Sequence, residues 1–507
     1  MPKFTSVFRE YAPWILVALL SVGLQPNAFS QSSSASLTVD IADTTGAVVP
    51  NAGVVIRNMD TNQEQRSASG KSGNATFSFL KPGHYALTVS KDNFADVAVS
   101  NIVLNVGVDR HVELTLKVGS ADQTVTVDGA GPTINTSDGS VSTVVDRNFV
   151  ANMPLNGRSF QDLILLTPGV TTSSPQQGGT SGSTGEFSVN GQRTESNVYM
   201  VDGVNANTGG YTLGLGTPGT SGSLPSATAL GTTQSLVSVD DLQEFRVSSS
   251  SYSAEYGLSP GGQFSFQTRS GTNDLHGSAF DYLRNNALDA NNWFNDNTTP
   301  ITPKTAERQN DFGGTIGGPI LLPRLYDGRN RSFFFFSYEG LRLTQPQAAL
   351  TTYVPSMSLR ETAPAVIQPA LDAFPVPTGP ALSNGLAPFV GASSSPSSLD
   401  STSVRFDQQL GQRFKLFFRF ADTQSSTESR STLGLSEVDR TSQSSYTNTF
   451  GMTTIFSPTS TNDLRLNYTS TTGTSSNMLD SFGGAIRAVS RGSFRLALQA
   501  PYSRSPR

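Results

Sequence analysis

The chain contains no cysteine. That absence excludes disulfide staples, thiol catalysis, Cys-ligated zinc and iron–sulfur clusters. Histidine is nearly as scarce: His84, His111 and His276 are the only three, little material for a metal site or a proton relay. Charged residues make up 14% of the sequence, against about 25% in ordinary soluble domains. The 39 acidic and 34 basic residues form no long run of either sign, so nothing provides the clustered Lys and Arg that a nucleic-acid partner requires. No stretch approaches 18 consecutive apolar residues, the length of a membrane-spanning helix. No zinc-binding HExxH occurs. Composition therefore points away from an enzyme, and no cofactor is expected.

The chain is instead rich in Ser, Thr and Asn, and it has 47 Gly. Its first thirty residues read as an export signal. Lys3 and Arg9 precede an apolar run from Trp14 to Leu24, followed by Ala28-Phe29-Ser30. As a helix the run would span roughly 16 Å, about half a bilayer core. Cleavage is expected between Ser30 and Gln31. An exported chain without thiols suits an oxidising envelope compartment, and any entry into a membrane must be made by strands.

From 35 to 118 short segments alternate between apolar and polar residues. Tyr85, Leu87 and Val89 interleave with His84, Ala86, Thr88 and Ser90, and Val112, Leu114 and Leu116 interleave with His111, Glu113, Thr115 and Lys117. A period of two makes strands with one buried and one wet face. Thr45-Gly46, Ser72-Gly73-Asn74 and Lys81-Pro82-Gly83 supply turns. Six or seven strands are expected, folded as a small β-sandwich, with His84 and His111 on solvated faces. Gly46-Ala47-Val48-Val49-Pro50-Asn51-Ala52 and Leu80-Lys81-Pro82-Gly83-His84-Tyr85 resemble the carboxypeptidase regulatory-like domain. The resemblance implies a transthyretin-like, non-catalytic appendage, akin to prealbumin and starch-binding folds. A sugar-binding role for it rests on that analogy alone, because no exposed aromatic pair for stacking is evident.

The middle segment, 121 to 275, opens with the alternating stretch Gln123-Thr124-Val125-Thr126-Val127. A helix-like patch from Phe160 to Leu166 follows, then short strands. Residues 205 to 235 have few large apolar side chains and read as a long mobile loop. Gly214, Gly216 and Gly219 match a GxGxxG spacing there, but Pro218 and the lack of a flanking strand and helix argue against a nucleotide site.

Leu155-Asn156-Gly157-Arg158-Ser159-Phe160, Leu165-Leu166-Thr167-Pro168-Gly169-Val170, Val189-Asn190-Gly191-Gln192-Arg193 and Val201-Asp202-Gly203-Val204 occur in order. They are followed by Leu242-Gln243-Glu244-Phe245-Arg246-Val247, Tyr252-Ser253-Ala254-Glu255-Tyr256-Gly257 and Thr268-Arg269-Ser270-Gly271-Thr272-Asn273. This ordered series resembles the plug domain of Oar-like TonB-dependent outer-membrane receptors of the acidobacterial type. A plug fills a barrel lumen, so it needs polar outer faces and tight turns; Asn190-Gly191 and Asp202-Gly203 are good hairpin dipeptides. Asp202, Glu244, Arg246 and Glu255 are expected at the plug-to-barrel surface.

From 276 to 480 strand-like segments recur: Ser278 to Leu283, Phe312 to Ile316, Ser332 to Leu343, Ser403 to Leu410, Arg413 to Asp422, Ser445 to Phe456 and Asn462 to Thr471. A long Pro-rich polar loop, Pro355 to Pro396, interrupts them. Lengths near ten with aromatics toward the ends suit outer-membrane strands, and the run Phe333 to Phe336 suits either a core strand or a bilayer interface. Transporters of this kind close with about 22 strands; about seven are legible here, so an incomplete barrel with two open edges is expected. From Ser481 to Arg507 there are five arginines, no acidic residue and no alternation, so 481 to 507 reads as an aberrant basic tail, like that of a truncated frame.

The expected fold is thus mainly β: signal peptide (1–30), transthyretin-like sandwich (35–118), α+β plug (121–275), the first strands of a transmembrane barrel (276–480) and the tail. The resemblance implies uptake of an unidentified small solute or oligosaccharide across outer-membrane lipid, driven by a periplasm-spanning TonB-type partner. Gln123, Thr124, Val125, Thr126 and Val127 are the candidate coupling segment, with the last strand of the sandwich as the competing reading. A carbohydrate-binding surface adhesin that works through its sandwich is the alternative function; it leaves the plug series unexplained.

Overall fold

The computed structural model describes residues 34–119, 124–128, 139–153, 155, 161–172, 187–193, 196–207, 236–253, 256, 259–291, 293–297, 304, 307–346, 350–391, 393–430, 436–457 and 460–486. The signal cleavage site at Ser30 and Gln31, Gln123, Glu255 and the glycines 214, 216 and 219 lie outside these residues.

The first unit is the expected sandwich. Strands β1 (Ala35–Asp43), β4 (Asn74–Leu80) and β7 (Asp109–Leu116) form one sheet in the order β4-β1-β7, with β1 and β7 parallel. Strands β2 (Gly53–Asn58), β3 (Glu64–Ala68), β5 (Gly83–Ser90), β6 (Asp96–Leu104) and β8 (Thr124–Asp128) form the other in the order β3-β2-β5-β6-β8. Alternate residues, among them Leu37, Val39, Ile41, Val54, Ile56, Leu87, Val89 and Val99, point between the sheets and are buried. The two faces of each strand therefore separate oil from water with a period of two. His84 and His111 lie on the wet faces, as expected.

The second unit is the plug. Strands β9 (Val141–Val145), β12 (Val198–Val201), β13 (Val204–Asn205), β14 (Leu242–Ser250) and β15 (Gln263–Thr268) pair in the order β13-β12-β15-β14-β9. A separate two-stranded piece joins β10 (Val170–Thr172) to β11 (Phe187–Val189). Short helices cover Arg147–Asn152, capped by Asp146, and Gln161–Ile164 within the expected helical patch. Phe187, Tyr199 and Phe264 stack, with the Tyr199 and Phe264 centroids 4.7 Å apart, and Phe245 and Phe266 pack beside them. Asp202 and Gly203 both take positive φ (51° and 81°), which turns β12 directly into β13. That is the conformation a two-residue primed turn demands, and Asp with Gly supplies it cheaply.

The third unit is a single antiparallel sheet of seven strands in chain order: β16 (His276–Asn285), β17 (Arg308–Pro319), β20 (Ser332–Pro346), β23 (Ser394–Leu410), β24 (Phe414–Arg430), β25 (Glu437–Ser457) and β26 (Ser460–Leu479). A small hairpin, β18 (Leu321–Leu322) with β19 (Tyr326–Asp327), links β17 to β20. All seven expected segments are strands, and they run longer than the sequence suggested, up to 21 residues in β25. Polar Ser and Thr alternation hides strand ends from a hydrophobic reading. β16 and β26 form the open edges of the described sheet.

Register puts Ile316, Phe336, Val404 and Phe420 in one row across the outer face, and Phe334, Phe406, Phe418, Phe450 and Leu466 in the next. Tyr338, Tyr446 and Tyr468 border this apolar band on the side where the outer face turns polar. Such a band edged by tyrosines is what a bilayer selects, because the ring sits in hydrocarbon while the hydroxyl stays wet. The aromatic run divides by parity. Phe333 and Phe335 point inward and are buried, whereas Phe334 and Phe336 face outward, so both readings of the run hold, on opposite faces.

Two expectations need correction. The Pro-rich stretch Pro355 to Pro396 is folded: β21 (Leu350–Pro355) pairs with β22 (Leu386–Gly391), and short helices span Met357–Thr362 and Gln368–Asp372. Buried Arg360 donates to the carbonyls of Pro355, Phe374 and Pro375, which ties the irregular backbone together. The aberrant tail, in turn, does not begin at 481. Phe482 packs edge-on against Phe389 at 6.0 Å, Arg430 lies 4.3 Å above its ring, and Ile486 donates its N–H to the Asp372 carbonyl. The insertion core of Val354, Phe374 and Phe389 is completed by Phe482, too distant in sequence for periodicity to reveal.

Candidate functional site

Strands that line a barrel place every second residue toward the lumen. In β23 the odd residues Leu399, Ser401, Ser403, Arg405 and Asp407 are buried, and in β24 Phe417, Arg419 and Thr423 share that face. Arg405 is flanked by Val404 and Phe406, and Arg419 by Phe418 and Phe420. An arginine set between outward apolar residues is the sequence signal of a charged lumen wall, and the sequence expectations did not include it.

These arginines meet the plug. Arg405 donates through Nη1 to Asp202 Oδ1 at 2.9 Å and to Thr268 Oγ1 at 2.8 Å. Its Nε and Nη2 grip both oxygens of Asp407 at 3.0 and 3.2 Å. Arg419 reaches Asp241 Oδ2 at 3.2 Å and lies 3.8 Å from Asp202 Oδ2. Asp202 also accepts the Thr268 N–H (3.0 Å), the Thr268 hydroxyl (2.7 Å) and the Gln267 amide (2.7 Å). Burial alone would raise the Asp202 carboxyl, but Arg405, Arg419 and the Thr268 hydrogen bonds hold it below the usual carboxylate range. Burial pushes Asp241 up, and the attraction of Arg419 is too weak to reverse it.

The sandwich joins the same network. Lys81, in the β4–β5 turn, donates to Asp407. Elsewhere on the plug Glu244 accepts the Val106 N–H, and Arg246 donates to the Gly107 carbonyl and, at 2.7 Å, to Ser140. Gly107 takes φ +63°, and a Cβ there would stand 3.1 Å from Arg246 Nη1, so glycine permits both the turn and the approach. Burial pushes the Glu244 carboxyl up to about 8. Of the four residues expected at the plug-to-barrel surface, Asp202 is there. Glu244 and Arg246 instead face the sandwich, a correction that follows from their place on β14, turned toward the β6–β7 turn.

The candidate coupling residues are held as a strand. β8 pairs parallel to β6, with Val125 opposite Val97 and Val127 opposite Val99. In this structure Thr124, Val125, Thr126 and Val127 therefore occupy the edge of the sandwich sheet, immediately before the plug.

Comparison with known families follows this division. Residues 36–117 match the carboxypeptidase regulatory-like domain, 133–263 the TonB-dependent receptor plug domain, and 267–364 with 360–493 an outer membrane beta barrel domain. The barrel match thus runs past Ser481. The chain is 29% identical over 311 residues to the TonB-dependent transporter Oar of Myxococcus xanthus, covering 59% of this chain and 26% of that relative. Among solved structures it is similar to the outer membrane transporter YddB of Escherichia coli (TM-score 0.44, 13% identity, 67% of this chain and 40% of that one). It is also similar to the ferric enterobactin receptor PfeA of Pseudomonas aeruginosa (TM-score 0.35, 12% identity, 66% and 42%).

Proposed function

Because this chain belongs to the Oar-like TonB-dependent receptors of the outer membrane, we propose that it forms the gated entrance of a solute-uptake system. A periplasm-spanning TonB-type protein would open it by pulling on the β8 segment. The ligand side would lie at the plug and the outer loops, and the reaction would be a conformational change with no covalent step. The observation that carries this reading is the shared carboxylate Asp407, gripped by Arg405 of the barrel wall and by Lys81 of the sandwich, while the same Arg405 holds Asp202 of the plug.

The sharing gives the pull a route. Lys81 neutralises part of the charge on Asp407, which leaves Arg405 free to engage Asp202. Withdrawal of the sandwich removes Lys81, so Asp407 competes harder for Arg405 and the plug loses part of its hold. β8 is suited to start this sequence, since an edge strand adds or loses a partner through backbone hydrogen bonds alone. Glu244 and Arg246 meanwhile keep the sandwich seated on the plug until force is applied.

A complete receptor carrying cysteines at Val97 and Val125 tests the route, because these residues are direct partners in the β6–β8 register and the chain has no other thiol. Oxidation should block energised uptake, reduction should restore it, and surface binding of solute should stay constant throughout. Full uptake with the disulfide closed would refute the role of β8.

A further inference from the structure

Where sandwich, plug and barrel meet, two adjoining cavities open, of about 70 and 40 Å³. Both are lined by Gln63, Lys81, Gln267, Arg405 and Lys415. A buried water needs about 10–15 Å³ measured this way, so the larger cavity has room for several waters or one tetrahedral oxyanion. Four cations border the pair. Lys81 has Asp407, Arg405 has Asp202 and Asp407, and Arg465 has Asp463 at 3.1 Å. Lys415 has no carboxylate and no hydrogen-bond partner among the described residues.

Lys415 is the second residue of β24 and shares the lumen face with Phe417 and Arg419, whereas Leu416 and Phe418 take the outer face. Its amine is therefore turned away from lipid, into a half-enclosed polar space where no carboxylate among the described residues pairs with it. Removing a cation from bulk water without a counter-charge is costly, and a bound anion offsets that cost. Gln243 and Ser270 on the plug side add neutral polar groups to the wall. Among the described residues Asp60 is the one carboxylate lining the larger cavity, beside Tyr85 and Gly83.

We infer that this junction binds a small free oxyanion of the phosphate or sulfate class, with Lys415 as its charge partner. The inference stands apart from the uptake reading, since it concerns an equilibrium site and needs neither energy coupling nor a transported solute. A bound oxyanion would bridge Lys415 of the wall to the plug and sandwich, fastening the three units at one point.

The test uses the full chain refolded in detergent and titrated calorimetrically with inorganic phosphate against chloride at matched ionic strength. Saturable phosphate binding is expected. Lys415→Gln should weaken it at least about tenfold, while Lys415→Arg should retain it. No saturable binding by the unaltered chain, or equal affinity in Lys415→Gln, overturns the assignment. A second measurement needs no variant: phosphate should slow acetylation of Lys415, read by mass spectrometry, and leave the exposed Lys71 and Lys117 unchanged. Unaltered acetylation of Lys415 at saturating phosphate would equally overturn it.

Discussion

Arg405 and Asp202 lie 203 positions apart and meet at 2.9 Å, each with a side chain 1% exposed. One belongs to the barrel wall and the other to the hairpin turn of the plug, so their contact fastens the plug. A pair of this kind adds little over well-packed apolar groups. Removing one member, however, leaves a buried charge uncompensated.

Asp202→Asn is accordingly expected to destabilise plug docking by about 3 kcal/mol, the low end for such a change because Asp407 still pairs with Arg405. Hydrogen exchange at β12 and β15 should rise, while exchange within the sandwich should stay unchanged. Acid should act likewise. The Asp202 carboxyl lies below its ordinary value in the folded state, so its contribution is complete above about pH 3.9 and disappears as pH falls through the lower folded value.

Glu244 carries the opposite dependence. Its folded value near 8 exceeds the unfolded value of about 4.3, so the folded state holds an extra proton between the two. Its contribution is fully present below about pH 4.3 and is lost as pH rises toward 8. Limited proteolysis between sandwich and plug should therefore accelerate from pH 6 to pH 8.5. Glu244→Gln, uncharged throughout, should flatten that rise; a rise of the same size in the variant would place the titrating group elsewhere.

The sandwich has its own core, extending over both sheets from Ala35 to Leu116. Residues 34–128 should fold alone as a soluble domain with a stability of about 5 kcal/mol, modest because so small a unit has little surface to bury. Segment 34–119 should also fold, with amide protection lost along β6, whose outer edge β8 covers. Poor spectral dispersion of both segments would deny the sandwich independence.

Val125→Pro removes an N–H and adds a ring inside the parallel β6–β8 pair. In a complete receptor it should abolish energised uptake while leaving barrel assembly and surface binding of solute intact. Loss of assembly would mean that β8 serves only to complete the sandwich.

The sequence by itself determined the strands, their two faces and their turns. Leu87 and Val89 inward with Thr88 and Ser90 outward follow from a period of two, and the backbone demands of a primed turn place Asp202-Gly203 at the end of β12. These features are local, set by sterics and by the cost of wetting alternate side chains. The ordered plug series made the family legible for the same reason, since each of its motifs is a short continuous piece of chain. Only the tertiary structure decided which charges meet. Arg405 is one arginine among many until sheet register brings it to the lumen, opposite a plug whose Asp202 arrives from another unit. Glu244 and Arg246 turn to the sandwich rather than the wall because β14 presents them to the β6–β7 turn. Phe482 closes the core of an insertion that begins more than a hundred residues earlier. Each such contact gains its strength from desolvation, and desolvation is a property of the assembled interior that no window of sequence contains.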